Sequence, residues 1–164
     1  MRQISHDWWD DYWPVWSPTG TEIAYIRNTE NNSERGYTNK LVVARTDNLA
    51  KEVLLASSMI SGPSWSPDGN KLAVIYCKDP DGGTRLAVIN PDGSGRTDLL
   101  QLTTSRCAPD AGGSIAWSPD GTKIAFVGPS GATLRVVNAD GTNLQIVARH
   151  VESYVTVSWR PVAG

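Results

Sequence analysis

The 164 residues carry 15 basic and 17 acidic side chains for a net charge of −2, with no basic cluster anywhere, so the chain lacks the electrostatic footprint of a nucleic-acid binder. A chain of this length can form one ordinary domain with a core of its own, and no apolar run nears the ~18 residues of a membrane span. The first residues hold one Arg and no apolar h-region, so they do not read as a signal peptide.

In chain order, the first conspicuous stretch is His6-Asp7-Trp8-Trp9-Asp10-Asp11-Tyr12-Trp13. Three readings apply. The aromatics can pack over the unit that follows while the acids face water. Alternatively Trp8, Trp9, Asp10, Asp11, Tyr12 and Trp13 form a patch that recognises a protein partner, since Trp and Tyr dominate interface hot spots. A metal site from His6, Asp7, Asp10 and Asp11 is the weakest reading, because no second cluster completes a coordination shell.

Next comes Trp16-Ser17-Pro18-Thr19-Gly20, which returns as Trp65-Ser66-Pro67-Asp68-Gly69 and Trp117-Ser118-Pro119-Asp120-Gly121, and begins again at Trp159-Arg160-Pro161. The spacings of the four Trp are about 49, 52 and 42 residues, the period of propeller blades. After each motif the pattern repeats. A short apolar strand follows (22–26, 71–75, 123–127), then a variable loop and a second strand (41–44, 86–89, 134–137). A tight turn (46–48, 90–93, 138–141) leads to a third strand (53–55, 99–102, 144–147). The segments are short, β-branched and bounded by Gly, Pro, Asn and Asp, and no stretch shows helical periodicity.

Each unit is therefore expected to be a four-stranded antiparallel blade, with strands A to D. The motif turn joins A to B. Pro suits the first central turn position, while Asp68-Gly69 and Asp120-Gly121 supply a side-chain acceptor and a positive φ. Trp16, Trp65, Trp117 and Trp159 read as wedges between blades, each N–H seeking an acceptor. These residues are thus structural, and the two Asp are turn acceptors rather than metal ligands or acids.

This pattern resembles the TolB-type β-propeller repeat, a WD-like repeat with the Trp-Ser-Pro-Asp-Gly turn, the Lys-Ile-Ala-Phe strand (123–126) and the Asn-Ala-Asp-Gly turn (138–141). The departures are Thr19 for the motif Asp, Thr46-Asp47-Asn48 without Gly, and Arg160 for Ser. By the resemblance, Arg2-Gln3-Ile4-Ser5 looks like the end of a preceding blade and residues 155–164 like the first strand of a following one. The expected fold is all-β, a partial propeller with three complete four-stranded antiparallel blades plus strand fragments at both ends. The units are 1–13 (end of a blade and loop), 14–62, 63–114 and 115–154 (blades), and 155–164. The remaining blades are expected from further chain or from a homo-oligomer, because open blade faces invite association.

In such blades the A–B and C–D turns share one face, and the B–C and D–A loops share the other. Here length variation falls in B–C loops (28–39, 77–84, 128–132) and D–A loops (5–13, 56–62, 103–114, 148–154), the face where binding is expected. Arg106 in one D–A loop joins the candidate partner-binding residues; His150 in another reads as solvated. Cys77 and Cys107 fit neither a disulfide framework nor a zinc site. Two free thiols are the simple reading, yet both fall on the variable face, where a bridge is feasible. No nucleophile elbow, complete calcium loop or phosphate-binding glycine loop occurs, so no cofactor or metal is expected. The expected function is a non-catalytic protein-binding propeller module, and the resemblance implies a periplasmic or extracytoplasmic setting. Two alternatives stay open: the accessory propeller of a prolyl-oligopeptidase-like or tricorn-like peptidase, and a carbohydrate-binding propeller with Trp8, Trp9, Tyr12 and Trp13 as stacking platforms.

Overall fold

A computed structural model describes residues 10–30, 37–78, 82–104, 107, 114–128, 133–151 and 156–160. Among them there is no helix. Twelve strands form three antiparallel sheets of four. The first blade is β1 (Asp10–Trp16), β2 (Glu22–Glu30), β3 (Tyr37–Arg45) and β4 (Lys51–Ser57). The second is β5 (Ser64–Trp65), β6 (Leu72–Cys77), β7 (Thr84–Ile89) and β8 (Thr97–Gln101). The third is β9 (Ile115–Trp117), β10 (Lys123–Val127), β11 (Leu134–Asn138) and β12 (Gln145–Ala148). In each sheet the strands lie in chain order, so every connection is a hairpin. This is an all-β fold of partial-propeller type.

The core lies between blades. One cluster joins Ile26, Leu41 and Val43 of the first blade to Trp65, Leu72 and Ile89 of the second. Another joins Ile75 and Leu86 of the second blade to Trp117, Ile124 and Phe126 of the third. The middle blade contributes opposite faces to both, which is why all of β6 is buried although it pairs within an antiparallel sheet. The repeat tryptophans are the wedges. Trp65 is 8% exposed and its Nε1 donates to the Val15 carbonyl of the first blade at 3.2 Å. Trp117 is buried in the same position. Trp16, by contrast, is 62% exposed, because among the described residues no blade precedes it.

The motif turn is built the same way each time. Buried Ser66 and Ser118 accept backbone N–H groups from Lys71 and Lys123, both at 2.9 Å. Their hydroxyls donate to Asp68 and Asp120, which also accept the N–H of residues 70 and 122 at 3.0 Å. Gly69 and Gly121 adopt φ of 73° and 71°, which costs a residue with a Cβ but not glycine. In the first blade Thr19 stands in, its hydroxyl 3.1 Å from that of Ser17 and 2.7 Å from that of Thr21.

Three expectations need correction. Residues 10–13 are not loop: Asp10, Asp11 and Tyr12 pair with Asn28, Arg27 and Ile26, because β2 runs on to Glu30 and offers them a ladder. For the same reason the first B–C loop is shorter than 28–39, since β2 and β3 stay paired as far as Glu30 and Tyr37. Residues 156–160 form no strand; a ladder needs a partner strand, and among the described residues none lies beside them. Trp159 nevertheless docks as a wedge, its Nε1 donating to the Ala116 carbonyl at 3.0 Å.

Phe126 is fully buried between two blades. Phe126→Ala is expected to lower unfolding free energy by about 3–5 kcal/mol, against under about 1 kcal/mol for Val53→Ala at a position 57% exposed. Urea denaturation of both variants checks this; equal effects would mean that the blades do not stack.

Candidate functional site

The B–C and D–A end of the stack is shaped by β1. Pro14 has no N–H to give the ladder, so β1 bulges: Tyr12 pairs with Ile26 and Val15 with Ala24, leaving Trp13 and Pro14 opposite Tyr25 alone. Trp13 takes φ 50°. That is unusual for a bulky residue, and doubly so before proline. Its side chain lies against Gly62, where an added Cβ would sit 3.4 Å from Trp13 Cβ and Cγ. Tyr12 and Trp13 remain 43% and 50% exposed, with ring centroids 6.3 Å apart.

The acids beside them are committed to structure. Arg27 donates from Nε to Asp11 Oδ1 at 2.8 Å and from Nη2 to Oδ2 at 3.0 Å. This is a bidentate pair with little solvent access. Asp10 accepts the Tyr12 hydroxyl at 3.1 Å. Among the described residues no group of three or more His, Cys, Asp or Glu is placed to hold a metal. Trp8, Trp9 and Arg106, like His6 and Asp7, lie outside the described residues, so the structure brings together only Asp10, Asp11, Tyr12 and Trp13 of the proposed patch. His150 follows β12, apart from them, at φ 59°.

Further along the same end, Cys77 is joined to Cys107 by a disulfide with Cα atoms 5.5 Å apart, in place of the two free thiols of the simple reading. Cys77 closes β6 and Cys107 follows β8, so the hairpin topology delivers both to one end of the second blade. Nearby, the Tyr76 hydroxyl donates to Asp98 at 2.8 Å. Burial, helped by that hydrogen bond, pushes the phenol up to about 12. It is a structural tie, too basic to serve as an acid near neutrality.

One feature lies on the other face. A groove of about 530 Å³ opens between the first and second blades on the side of the A–B and C–D turns, lined by Glu22, Arg45, Glu52, Asn70, Asn90 and Asp92. Sequence reasoning assigned that side to regular turns and missed it. The available signal was the irregular Thr46-Asp47-Asn48 turn, where Arg45 pairs with Asp47 at 2.8 Å instead of closing on a glycine. The groove contains no nucleophile paired with a base, and Arg45 is already engaged.

No protein-family model matches the chain. The uncharacterized peptidase YuxL of Bacillus subtilis (strain 168) is 28% identical over 112 residues, 68% of this chain and 16% of that protein. The Tol-Pal system protein TolB of Hahella chejuensis is 40% identical over 78 residues, 42% of this chain and 18% of that protein. The chain thus spans less than a fifth of the length of these relatives. Among solved structures, TolB from Acinetobacter baumannii superposes with a TM-score of 0.67 at 13% identity, covering 90% of this chain and 34% of that one.

Two outcomes are expected from this geometry. The Ser118 hydroxyl, with the backbone and side chain of Thr122, holds the Asp120 carboxyl down from 3.8 to about 2. A carboxyl depressed in the folded state adds stability above its unfolded value and loses it as pH falls towards the folded one. Between pH 4 and pH 2 the wild type should therefore lose stability that Asp120→Asn, which cannot ionise, does not lose; parallel acid titrations would contradict the turn's role. Cys77→Ser with Cys107→Ser should destabilise by about 2–4 kcal/mol, read by urea denaturation without reductant, and no change would show the bridge to be dispensable. Sequence and structure together show a TolB-like β-propeller fold.

Proposed function

We propose that this chain is a non-catalytic propeller module that binds a protein partner through its B–C and D–A loop face, with Tyr12 and Trp13 as anchors. The observation that carries this reading is Trp13 itself. A tryptophan held at φ 50° on a bulge, half exposed and braced by Gly62, costs on the order of 1–3 kcal/mol of backbone strain. A packing role would not need that strain, whereas bulges re-aim side chains beside functional sites. The Asp11–Arg27 pair and the β1–β2 ladder fix the strand beneath, so the anchors meet a partner already ordered.

The TolB likeness supports protein partners and an extracytoplasmic setting, and the Cys77–Cys107 disulfide suits an oxidising compartment. The match to a peptidase over 68% of this chain favours one second reading, an accessory propeller beside a hydrolase domain. A serine-hydrolase domain in the flanking gene would establish that reading.

The test is a photo-crosslinker at position 12 in cells, with and without substitution of Trp13. A crosslinked protein is expected with the native Trp13 and should be lost with both Trp13→Ala and Trp13→Gly. Because glycine relieves the positive φ, Trp13→Gly should also be about 1 kcal/mol more stable than Trp13→Ala. No crosslinked protein, or full capture by both variants, would sink the reading.

A further inference from the structure

The sequence has no run of basic residues, yet the second blade gathers three cations on one side of its sheet. Tyr76 on β6 lies opposite Arg85 on β7, and Asp98 on β8 lies opposite Ala87. Tyr76 and Ala87 pack in the core shared with Ile26 and Leu55 of the first blade, so this side of the sheet faces that blade. Residues directly opposite in an antiparallel pair share a side, which brings Arg85 and Asp98 there as well. Arg96 lies over the Tyr76 ring, its Cζ 5.5 Å from the centroid. Lys78 reaches Asp98, Nζ to Oδ2, at 3.6 Å. Burial raises the Tyr76 phenol, and both guanidiniums lie near enough to oppose that rise.

One carboxylate thus stands among three cations, and it is already engaged. Asp98 accepts the Tyr76 hydroxyl on Oδ1 at 2.8 Å and holds Lys78 at Oδ2. Among the described residues neither Arg85 nor Arg96 has an acidic partner. Arg85 Nη1 is closed off from solvent and meets no protein acceptor. A buried charged donor left unpaired is costly, and like charges gathered on one sheet face repel. The chain carries more acids than bases, 17 against 15, so composition does not force this local surplus. Arg85 as a whole is half-buried and Arg96 is exposed. Their flexible arms can turn both forks to the mouth of the seam between the blades, which frees Nη1 from its closed position.

The cluster leaves two positive charges unneutralised, and the occupant that fits is a dianion with several oxygens. A planar guanidinium takes two oxygens at once. A phosphate offers three or more oxygens with a charge near −2, whereas one carboxylate supplies two oxygens and half the charge. We propose that Arg85, Arg96 and Lys78 form an anion site in the seam between the first and second blades, and that its ligand is a phosphate group, free or carried as a monoester. The inference goes beyond the partner reading of Tyr12 and Trp13 and does not depend on it.

Titration of the nitrogen-15-labelled full chain at about pH 8, where phosphate is the dianion, tests the site through its arginine Nε–H and backbone amide signals. Sodium chloride at matched ionic strength subtracts the general effect of salt. Inorganic phosphate or glycerol phosphate should shift the Arg85 and Arg96 signals saturably; response to the first alone identifies free phosphate, and response to the second identifies a monoester. Acetate should bind about tenfold more weakly or less. Arg85→Gln and Arg96→Gln should each weaken phosphate binding about tenfold. Arg96→Lys, which keeps the charge and loses the fork, should fall between wild type and Arg96→Gln. Arg96 is exposed, so its variants decide the matter if Arg85→Gln does not fold. Arg149→Gln, at an exposed position after β12, should bind like the wild type. Shifts no larger than those with sodium chloride, acetate binding as tightly as phosphate, or unchanged binding in Arg96→Gln would overturn the proposal.

Discussion

The repeat tryptophans tie neighbouring blades together. The rings of Trp65 and Trp117 are buried between sheets, and the N–H groups of Trp65 and Trp159 reach the inner strand of the blade before. The two contributions differ in size. Burying roughly 200 Å² of aromatic surface stabilises by on the order of 5 kcal/mol, while a net hydrogen bond adds about 1 kcal/mol. Burial therefore supplies most of the energy, and the hydrogen bond supplies the register. Trp117 shows that ordering: it is buried although its Nε1 has no acceptor. The cost of an unpaired donor, about 1–3 kcal/mol, is smaller than the burial it accompanies.

From this constraint follows the division of the molecule into two faces. A wedge works only if it leaves the inner strand at a fixed height, so the turn after it is rigidly specified by Ser66, Asp68 and Gly69 and their counterparts. The A–B side of the stack is held to that pattern. The C–D turn of the first blade, where Leu49 takes φ 61°, departs from it, and the other side, under no such demand, departs from regularity as well. Pro14 breaks the β1 ladder, Trp13 sits at positive φ, and the disulfide bridges β6 to the loop beyond β8. Strain on the unconstrained side is affordable because the wedges and the blade cores carry stability elsewhere.

Much of this was legible in the sequence. The three motif copies in register locate the A–B turns, and the apolar segments after them locate strands B, C and D to within a few residues, because each blade repeats one local solution. What escaped was set by long-range pairing. That Asp10 to Tyr12 continue the inner strand depends on β2 extending to Glu30, which no local pattern announces. Pro14 within a run of aromatics was a usable sign of a bulge, but the φ of Trp13 was not. Trp16 reads like its siblings in sequence, and its exposure follows only from what does or does not lie beside it. The groove of the first blade was hidden for a similar reason, since it depends on how Glu22, Arg45 and Glu52 meet the turn of the next blade.

The wedge account can be measured at the indole protons. In a nitrogen-15-labelled sample, hydrogen exchange of the tryptophan side-chain N–H groups should be slow for Trp65 and Trp159, whose donors are bonded across blades, and fast for Trp16 in dilute protein. Assignment by single Trp→Phe substitutions identifies each signal. Fast exchange at Trp65 and Trp159, indistinguishable from Trp16, would contradict an architecture in which these two indoles are bonded to the inner strand of the blade before.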